Sequence, residues 1–334
     1  MLKLFQKSGD RDPYILILAC ATLISFLIMA ITVPDRFLHA DNFASMSIQL
    51  SELGLFGIAM SLSLIIAGID LSVVAVANLS AICAAYTIRF IAAGDPTSGT
   101  LVLAFVAALV VALLVGMIVG AINGLLVTRL GVPSILATLA TMTFFTGIAL
   151  GITGGSAISG LPDGLDMVGS MTLLGIPMPF LVFAVVWIGI DIMLRRTTIG
   201  KQMMLVGTSL KVARFSGINT AKVIITTHVL SSMIASVAGF LSLMRMSSAN
   251  ADYGGTYVLL AILVAVLGGV SVNGGAGRMI GVLLSLVLLQ CLSTGFNMLL
   301  LFVPDGNFFR DFVWGMLLLA IMASTHFLRR GKGQ

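Results

Sequence analysis

Charge is what this sequence has least of. Only 9% of its 334 residues are Asp, Glu, Lys or Arg, while 59% are hydrophobic. An ordinary soluble domain carries about 25% charged residues. A globule this poor in charge could not cover its own surface, so lipid must solvate most of the chain. That excludes a soluble enzyme, a secreted disulfide scaffold and a disordered tail. Cysteine is also scarce: Cys20, Cys83 and Cys291 are scattered through apolar stretches and give neither a disulfide framework nor metal-ligand spacing. The three histidines, His39, His228 and His326, are isolated and read as interfacial or packed residues. No G-x-x-x-x-G-K-[ST] run occurs, so no ATP site of the P-loop kind is expected. The nearest glycine-rich run, Gly274-Gly275-Ala276-Gly277-Arg278, lacks the Lys–Ser/Thr ending. A G-x-S-x-G elbow and a zinc-type histidine pair are missing too, which leaves transport or signalling rather than enzymology.

What the sequence has is long apolar runs. A helix needs about 20 mostly apolar residues to cross a bilayer. Runs near 14–33, 44–67, 71–93, 100–128, 133–153, 178–194, 223–246, 256–272, 279–300 and 311–328 give ten expected spans in an all-α polytopic membrane protein. With the N-terminus in the cytoplasm, fourteen basic residues fall inside, including Arg195, Arg196, Lys201, Lys211, Arg214 and Lys222 in one loop. Only Arg36, Arg89, Arg245 and Arg310 fall outside. This asymmetry predicts that both ends are cytoplasmic. The basic residues sit in clusters between runs, which is the pattern of membrane orientation and not of a phosphate-binding face, so no nucleic-acid partner is expected. The first run is too long for a signal peptide and lacks a small-residue cleavage site, so it reads as a retained anchor. Glycines spaced as Gly116-x-x-x-Gly120-x-x-x-Gly124 and Gly277-x-x-x-Gly281 predict close helix packing in lipid.

Polar residues inside spans are the candidate functional groups. The single glutamate, Glu52, shares a narrow helical sector with Ser45, Gln49, Phe56 and Ser63. That sector is either one wall of a hydrated path or, at Glu52, a wet position near the outer interface. Asp70, in Gly68-Ile69-Asp70-Leu71-Ser72-Val73, reads either as the N-cap of the helix that follows or as a gating or substrate-contacting acid. If it is a cap, Asp70→Asn keeps much of the function. Ser134, Thr138, Thr141 and Phe145 recur on one face of the fifth run, where hydroxyls either line a path or bond back to their own helix. Gln290 and Asn297 share a face of the ninth run and serve as interhelical glue or path lining.

Two loops stand out. Residues 154–177 form a predicted external loop, and 195–222 a predicted internal one. In the latter, Ser209 is a candidate N-cap and Gly217 a candidate C′ glycine. Between them is room for a two-turn basic helix whose apolar contacts are Leu210, Ala213 and Phe215, too short to be stable without a partner.

Three ordered blocks then carry a resemblance. Residues 36–73 combine a Phe and an Asn ahead of the second run with Leu53-Gly54, Phe56, Gly57-Ile58-Ala59 and Gly-Ile-Asp-Leu-Ser-Val. Thr198-Ile199-Gly200, Gly207 and Ala213-Arg214-Phe215-Ser216-Gly217-Ile218-Asn219 form the second block. The third is Gly268-Gly269-Val270-Ser271 with Gly274-Gly275-Ala276-Gly277 and Gly281. Over residues 34–328 the chain resembles the sugar-type permease subunits of ATP-binding-cassette importers, the family of ribose, xylose, galactose and autoinducer-2 permeases. It departs at Ala67 and Val74, where that family usually has Gly.

The resemblance implies one transmembrane permease domain over 1–334 in a bacterial inner membrane, with a coupling helix in the 195–222 loop. It implies a second permease subunit, the same chain or a related one, a cytoplasmic ATPase, and an extracytoplasmic binding protein that delivers a sugar-like solute. No cofactor is then expected in this chain, since ATP and magnesium belong to the ATPase. Ser209, Leu210, Ala213, Arg214, Phe215, Ser216 and Gly217 become the candidate coupling residues. Gln49, Glu52, Phe56, Ser63, Asp70, Ser72, Thr138, Thr141, Phe145 and Asn297 become the candidate path. Two alternatives stand beside this: a branched-chain amino-acid permease, and an ion-coupled carrier using Glu52 or Asp70.

Overall fold

The computed structural model describes residues 13–94, 97–162 and 171–299, together with 312, 315 and 316. In order, the chain forms α1 (Pro13–Thr32), α2 (Pro34–Phe37), α3 (Ala40–Ile65), α4 (Val73–Ile91), α5 (Ser98–Arg129) and α6 (Ser134–Thr153). There follow β1 (Ile158–Ser159), β2 (Thr172–Leu173), β3 (Ile176–Pro177), α7 (Met178–Arg196), α8 (Thr198–Thr208) and α9 (Leu210–Phe215). The rest is α10 (Thr220–Met246), β4 (Ser248–Ala249), α11 (Tyr257–Leu267) and α12 (Met279–Leu299).

Eight of these helices, α1, α3, α4, α5, α6, α7, α10 and α12, are long and apolar enough to cross a membrane. Local signals set their ends. Thr97 accepts from the Thr100 amide at 3.3 Å to start α5, Asn219 accepts from the Lys222 amide at 3.0 Å to start α10, and α6 stops at Gly154 with φ +62°. The run expected to cross at 256–272 is different: it gives the 11-residue α11, about 16 Å long. Gly268 and Gly269 (φ +83°) end that helix, so hydropathy alone overstates its length. Apart from residues 312, 315 and 316, the expected tenth span, 311–328, and the basic C-terminal cluster lie outside the described residues.

The core is centred on α3, buried over most of its length, which packs against α10, α11, α7 and α12. The α1, α5, α6 and α7 helices are peripheral and turn apolar side chains outward, as lipid-facing helices do. The tightest pairing is α5 with α10. A Cβ added at Gly120 would lie 2.6 Å from the His228 carbonyl oxygen and the Val229 Cα, and one at Gly124 would lie 2.6 Å from the Ile225 Cα. The expected Gly-x-x-x-Gly contact is therefore present, with α10 as its partner.

Segments that the basic-residue pattern assigns to one side meet one another. At one end, β1 pairs antiparallel with β4, Ile158 opposite Ala249, and so ties the segment after α6 to the segment after α10. At the other end the Gly275 amide donates to the Ile65 carbonyl at 2.8 Å, and Ser134 lies against Gly68.

Both α3 and α11 end in the same way. The Ala67 and Gly68 amides return to Leu64 and Ser63 carbonyls, as the Gly269 and Val270 amides return to Val266 and Ala265. This is the Schellman pattern, whose C′ residue adopts positive φ. Gly269 meets that demand freely, while Ala67 takes it at φ +61°. The departure from Gly at position 67 is thus a strained one, with the backbone shape retained.

Candidate functional site

The bend between α3 and α4 brings the inner polar residues together. Asp70 is fully buried. Its Oδ1 accepts from the Ser72 amide at 3.0 Å and from the Ser72 hydroxyl at 2.6 Å. Ser72 Oγ accepts from Asn123 Nδ2 of α5 at 2.8 Å, and Asn123 Oδ1 accepts from the Thr141 hydroxyl of α6 at 2.7 Å. Thr138 joins from α6: its Oγ1 accepts from the Leu71 amide at 3.1 Å and lies 3.0 Å from the Ile69 carbonyl, to which it donates. The N-cap position of α4 is Ser72, and Asp70 lies two residues earlier. The carboxylate does accept a backbone N–H at the start of the helix, but its second oxygen does something else. Asp70 Oδ2 lies 3.6 Å from Nδ1 of His228 on α10, also fully buried.

A second polar group lies towards the opposite end of α3. Arg245 donates to Glu52 Oε2 at 2.8 Å and to the Tyr253 hydroxyl at 3.0 Å. Burial, followed by the Glu52 carboxylate, pushes the Tyr253 phenol well up from its ordinary range. Asn78 of α4 donates to the Ala251 and Tyr253 carbonyls at 2.8 and 2.9 Å, which is how a polar side chain sits inside an apolar run. Glu52 is therefore neither wet nor alone; it is buried and paired.

The other expected path residues are spread over different contacts. Phe56 stacks against Tyr257 of α11 with ring centroids 5.8 Å apart, and Ser63 faces Ser231 of α10 at 3.4 Å. Gln49 accepts from Gln290 of α12 at 3.3 Å, while Asn297 is exposed further along α12. Phe145 is buried in the cluster formed by α4, α5, α6 and α10. The structure thus groups Asp70, Ser72, Thr138 and Thr141 in one network and keeps Glu52, Gln49, Phe145 and Asn297 apart from it.

The expected short helix is present as α9. The Val212 amide donates to Ser209 Oγ at 3.4 Å, Gly217 has φ +77°, and the Ile218 amide returns to the Ala213 carbonyl at 3.1 Å. Ser216 bonds back to the Val212 carbonyl, and Arg214 Nε donates to Thr220 Oγ1 at 3.2 Å. One detail differs from the sequence expectation. Ala213 is buried against its own chain, so it is not an outward contact. The outward apolar surface is Leu210, Val212 and Phe215, the last 92% exposed. The preceding helix, α8, is seated firmly: Gly207 lies directly against the Ile65 carbonyl, closer than any side chain would permit.

Sequence reasoning missed three residues: Asn123, His228 and Arg245. The signal for His228 was readable. Thr227, His228, Ser231, Ser232 and Ser236 recur at helical spacing on α10, and all are fully buried. Asn123 sits beside Gly124 on a helix otherwise almost free of polar groups.

Comparison with known proteins agrees with this architecture. Residues 42–322 match the family described as branched-chain amino acid transport system / permease component. The ribose import permease protein RbsC of Bacillus subtilis (strain 168) is 35% identical over 298 residues, covering 89% of this chain and 88% of its own. The ribose import permease of Escherichia coli (strain K12) is 31% identical over 281 residues, 83% of this chain and 84% of that one. The autoinducer 2 import system permease protein LsrD of Photorhabdus luminescens is 29% identical over 296 residues, 87% of this chain and 85% of that one.

Proposed function

The chain belongs to this family of importer permeases, multi-pass membrane transport components rather than enzymes, and from that premise we propose that it forms the membrane path for a sugar or sugar-like solute. In this reading an extracytoplasmic binding protein delivers the solute. A cytoplasmic ATPase, which carries the ATP and magnesium, drives the cycle, and a second permease subunit completes the path.

The similarity to ribose permeases over nearly the whole chain carries the reading. The geometry of α9 supports it. A six-residue helix that carries Lys211 and Arg214 and turns Leu210, Val212 and Phe215 outward leaves apolar side chains in water unless a partner covers them. Docking there against the ATPase would press α8 onto the end of α3 at Ile65, and the 66–72 bend would feel that pressure next. On this reading the α9 end faces the cytoplasm and the β1–β4 end faces outward. The pairing of Glu52 with Arg245 removes the free carboxylate that an ion-coupled carrier would need at that position.

The test is reconstitution with the ATPase and binding protein encoded beside this chain, with mass spectrometric identification of the ligand held by the binding protein. A pentose, hexose or related polyol is the expected result. A branched-chain amino acid would favour the second reading, which the family description itself suggests. Uptake that needs neither ATP nor the binding protein would refute both. Within that system, Phe215→Ala should lower solute-stimulated ATP hydrolysis about tenfold, the cost of one well-packed apolar anchor, while membrane insertion stays normal.

A further inference from the structure

The α3–α4 bend is tied to three neighbouring helices, and only two of the ties are complete. Thr138 holds it to α6 through the Ile69 and Leu71 backbone, and the Ser72–Asn123 contact holds it to α5, all at 2.8–3.1 Å. The tie to α10 is open. Asp70 Oδ2 and His228 Nδ1 are 3.6 Å apart, longer than a hydrogen bond. Asp70 Oδ2, both ring nitrogens of His228 and the Ser232 hydroxyl are buried with no hydrogen-bond partner among the described residues. Buried polar atoms are almost always paired, and a buried carboxylate without full pairing is costly. Asp70 Oδ2 and His228 Nδ1 face each other across the gap, a buried contact that this arrangement leaves incomplete and that a small shift of the same elements would pair. Closing the gap to a charge-assisted bond of about 2.8 Å requires a shift of less than about 1 Å.

The neighbouring contacts show which element would shift. The α10 helix is pinned at His228 itself, because Gly120 of α5 lies against the His228 carbonyl with no room for a side chain. The bend is joined instead to the α8–α9 segment: its first residue follows Ile65, whose carbonyl accepts from the Gly275 amide at 2.8 Å and lies under Gly207 of α8. Motion of α8 and α9 therefore reaches Asp70 within a few residues, while His228 stays fixed.

We propose that Asp70 and His228 are a positioning pair that closes when the α8–α9 segment is driven and reopens when it is released, fixing the α3–α4 bend to α10 in one half of the transport cycle. This rests on the importer reading given above, in which α9 is the driven element. The pair touches no solute; it acts by placing α3 and α4 relative to α10.

The experiment uses the complete complex in proteoliposomes, with solute uptake and ATP hydrolysis measured together for the wild type, Asp70→Asn, His228→Gln and the double variant. A wild type without binding-protein-dependent, ATP-dependent uptake would sink the importer reading and leave the pair without a role. With a competent wild type, each single variant should move at least about tenfold less solute per ATP hydrolysed. The double variant should be no worse than either single one, because both substitutions act on the same contact. Singles that keep the wild-type ratio, or losses that multiply in the double variant, overturn the proposal. If the singles fail to assemble, assembly of the double variant supports the pair, since the fault then lies in the unpaired partner. Failure of all three to assemble assigns these residues to stability alone and overturns it.

Discussion

Replacing Arg245 by Met gives the sharpest energetic test of the outer polar group. The Glu52 side chain is 5% exposed and that of Arg245 30% exposed, so the substitution leaves a buried carboxylate without its cation. Removing one partner of a buried ion pair costs about 3–5 kcal/mol, and the partial exposure of Arg245 places this one near about 3. A ceiling exists, because the stranded group can take up a proton. Protonating a carboxylic acid of ordinary strength costs about 3.7 kcal/mol at pH 7 and about 1 kcal/mol at pH 5. Once the pH falls far enough for protonation to cost less than the stranded charge, the folded variant holds a proton that the unfolded state releases, so its stability recovers as pH drops and falls as pH rises. Reversible unfolding in bicelles should show a loss of about 3 kcal/mol at pH 7, shrinking to about 1 kcal/mol or less at pH 5. Adding Glu52→Gln to Arg245→Met should recover much of the pH 7 loss and flatten the pH response. A single variant within about 0.5 kcal/mol of wild type at pH 7, the scatter of an ordinary surface change, refutes the reasoning. So does a loss that is the same at both pH values.

Ala67→Gly should stabilise the chain by about 0.5 kcal/mol, the relief of a left-handed alanine less the extra freedom gained by the unfolded chain; destabilisation in the same unfolding assay contradicts the strained-cap account. Gly120→Ala should cost about 1–3 kcal/mol, because its new Cβ meets backbone atoms of α10 that cannot rotate away; a neutral result means that α5 and α10 slide apart freely. With Cys20, Cys83 and Cys291 replaced, a cysteine at the highly exposed Leu174 should react with an impermeant maleimide in intact cells, and one at Phe215 only after permeabilisation. The reverse pattern would invert the proposed orientation.

How much the sequence revealed depended on the range of the interaction involved. The α9 helix was readable to the residue because Ser209 and Gly217 act locally, on amides a few positions away. The Gly116–Gly120–Gly124 stripe announced a close packing but not its partner, since many helices accept a flat face. Asp70 reads either as the N-cap of α4 or as a gating or substrate-contacting acid; the cap position falls to Ser72, whose amide donates to Asp70 two positions earlier. Its second contact, His228, is 158 positions away and carries no local mark. Glu52 could not be told wet from paired for the same reason: its cation, Arg245, is contributed by a helix whose depth the sequence does not give. The Ala213 side chain turned inward because α9 folds back on its own chain, which a two-turn helical wheel has no means to show.

The shortness of α11 bears on how the chain enters the membrane at all. At about 16 Å it reaches only about half-way across a hydrocarbon layer of about 30 Å. An isolated half-crossing would leave the peptide groups beside its ends facing acyl chains, which lipid does not tolerate. In the folded chain the Gly275 amide is taken up at Ile65 of α3, while the Ser271 and Val270 amides bond locally, to the Ala276 and Ala265 carbonyls. Ile65 lies some two hundred residues upstream. Because α3 is made first, α11 and the glycine-rich turn after it enter a bundle in which their partner is already present. The segment 257–278 is a late guest of a bundle already begun, and substitutions at its Ile65 contact should slow membrane insertion of the segment itself.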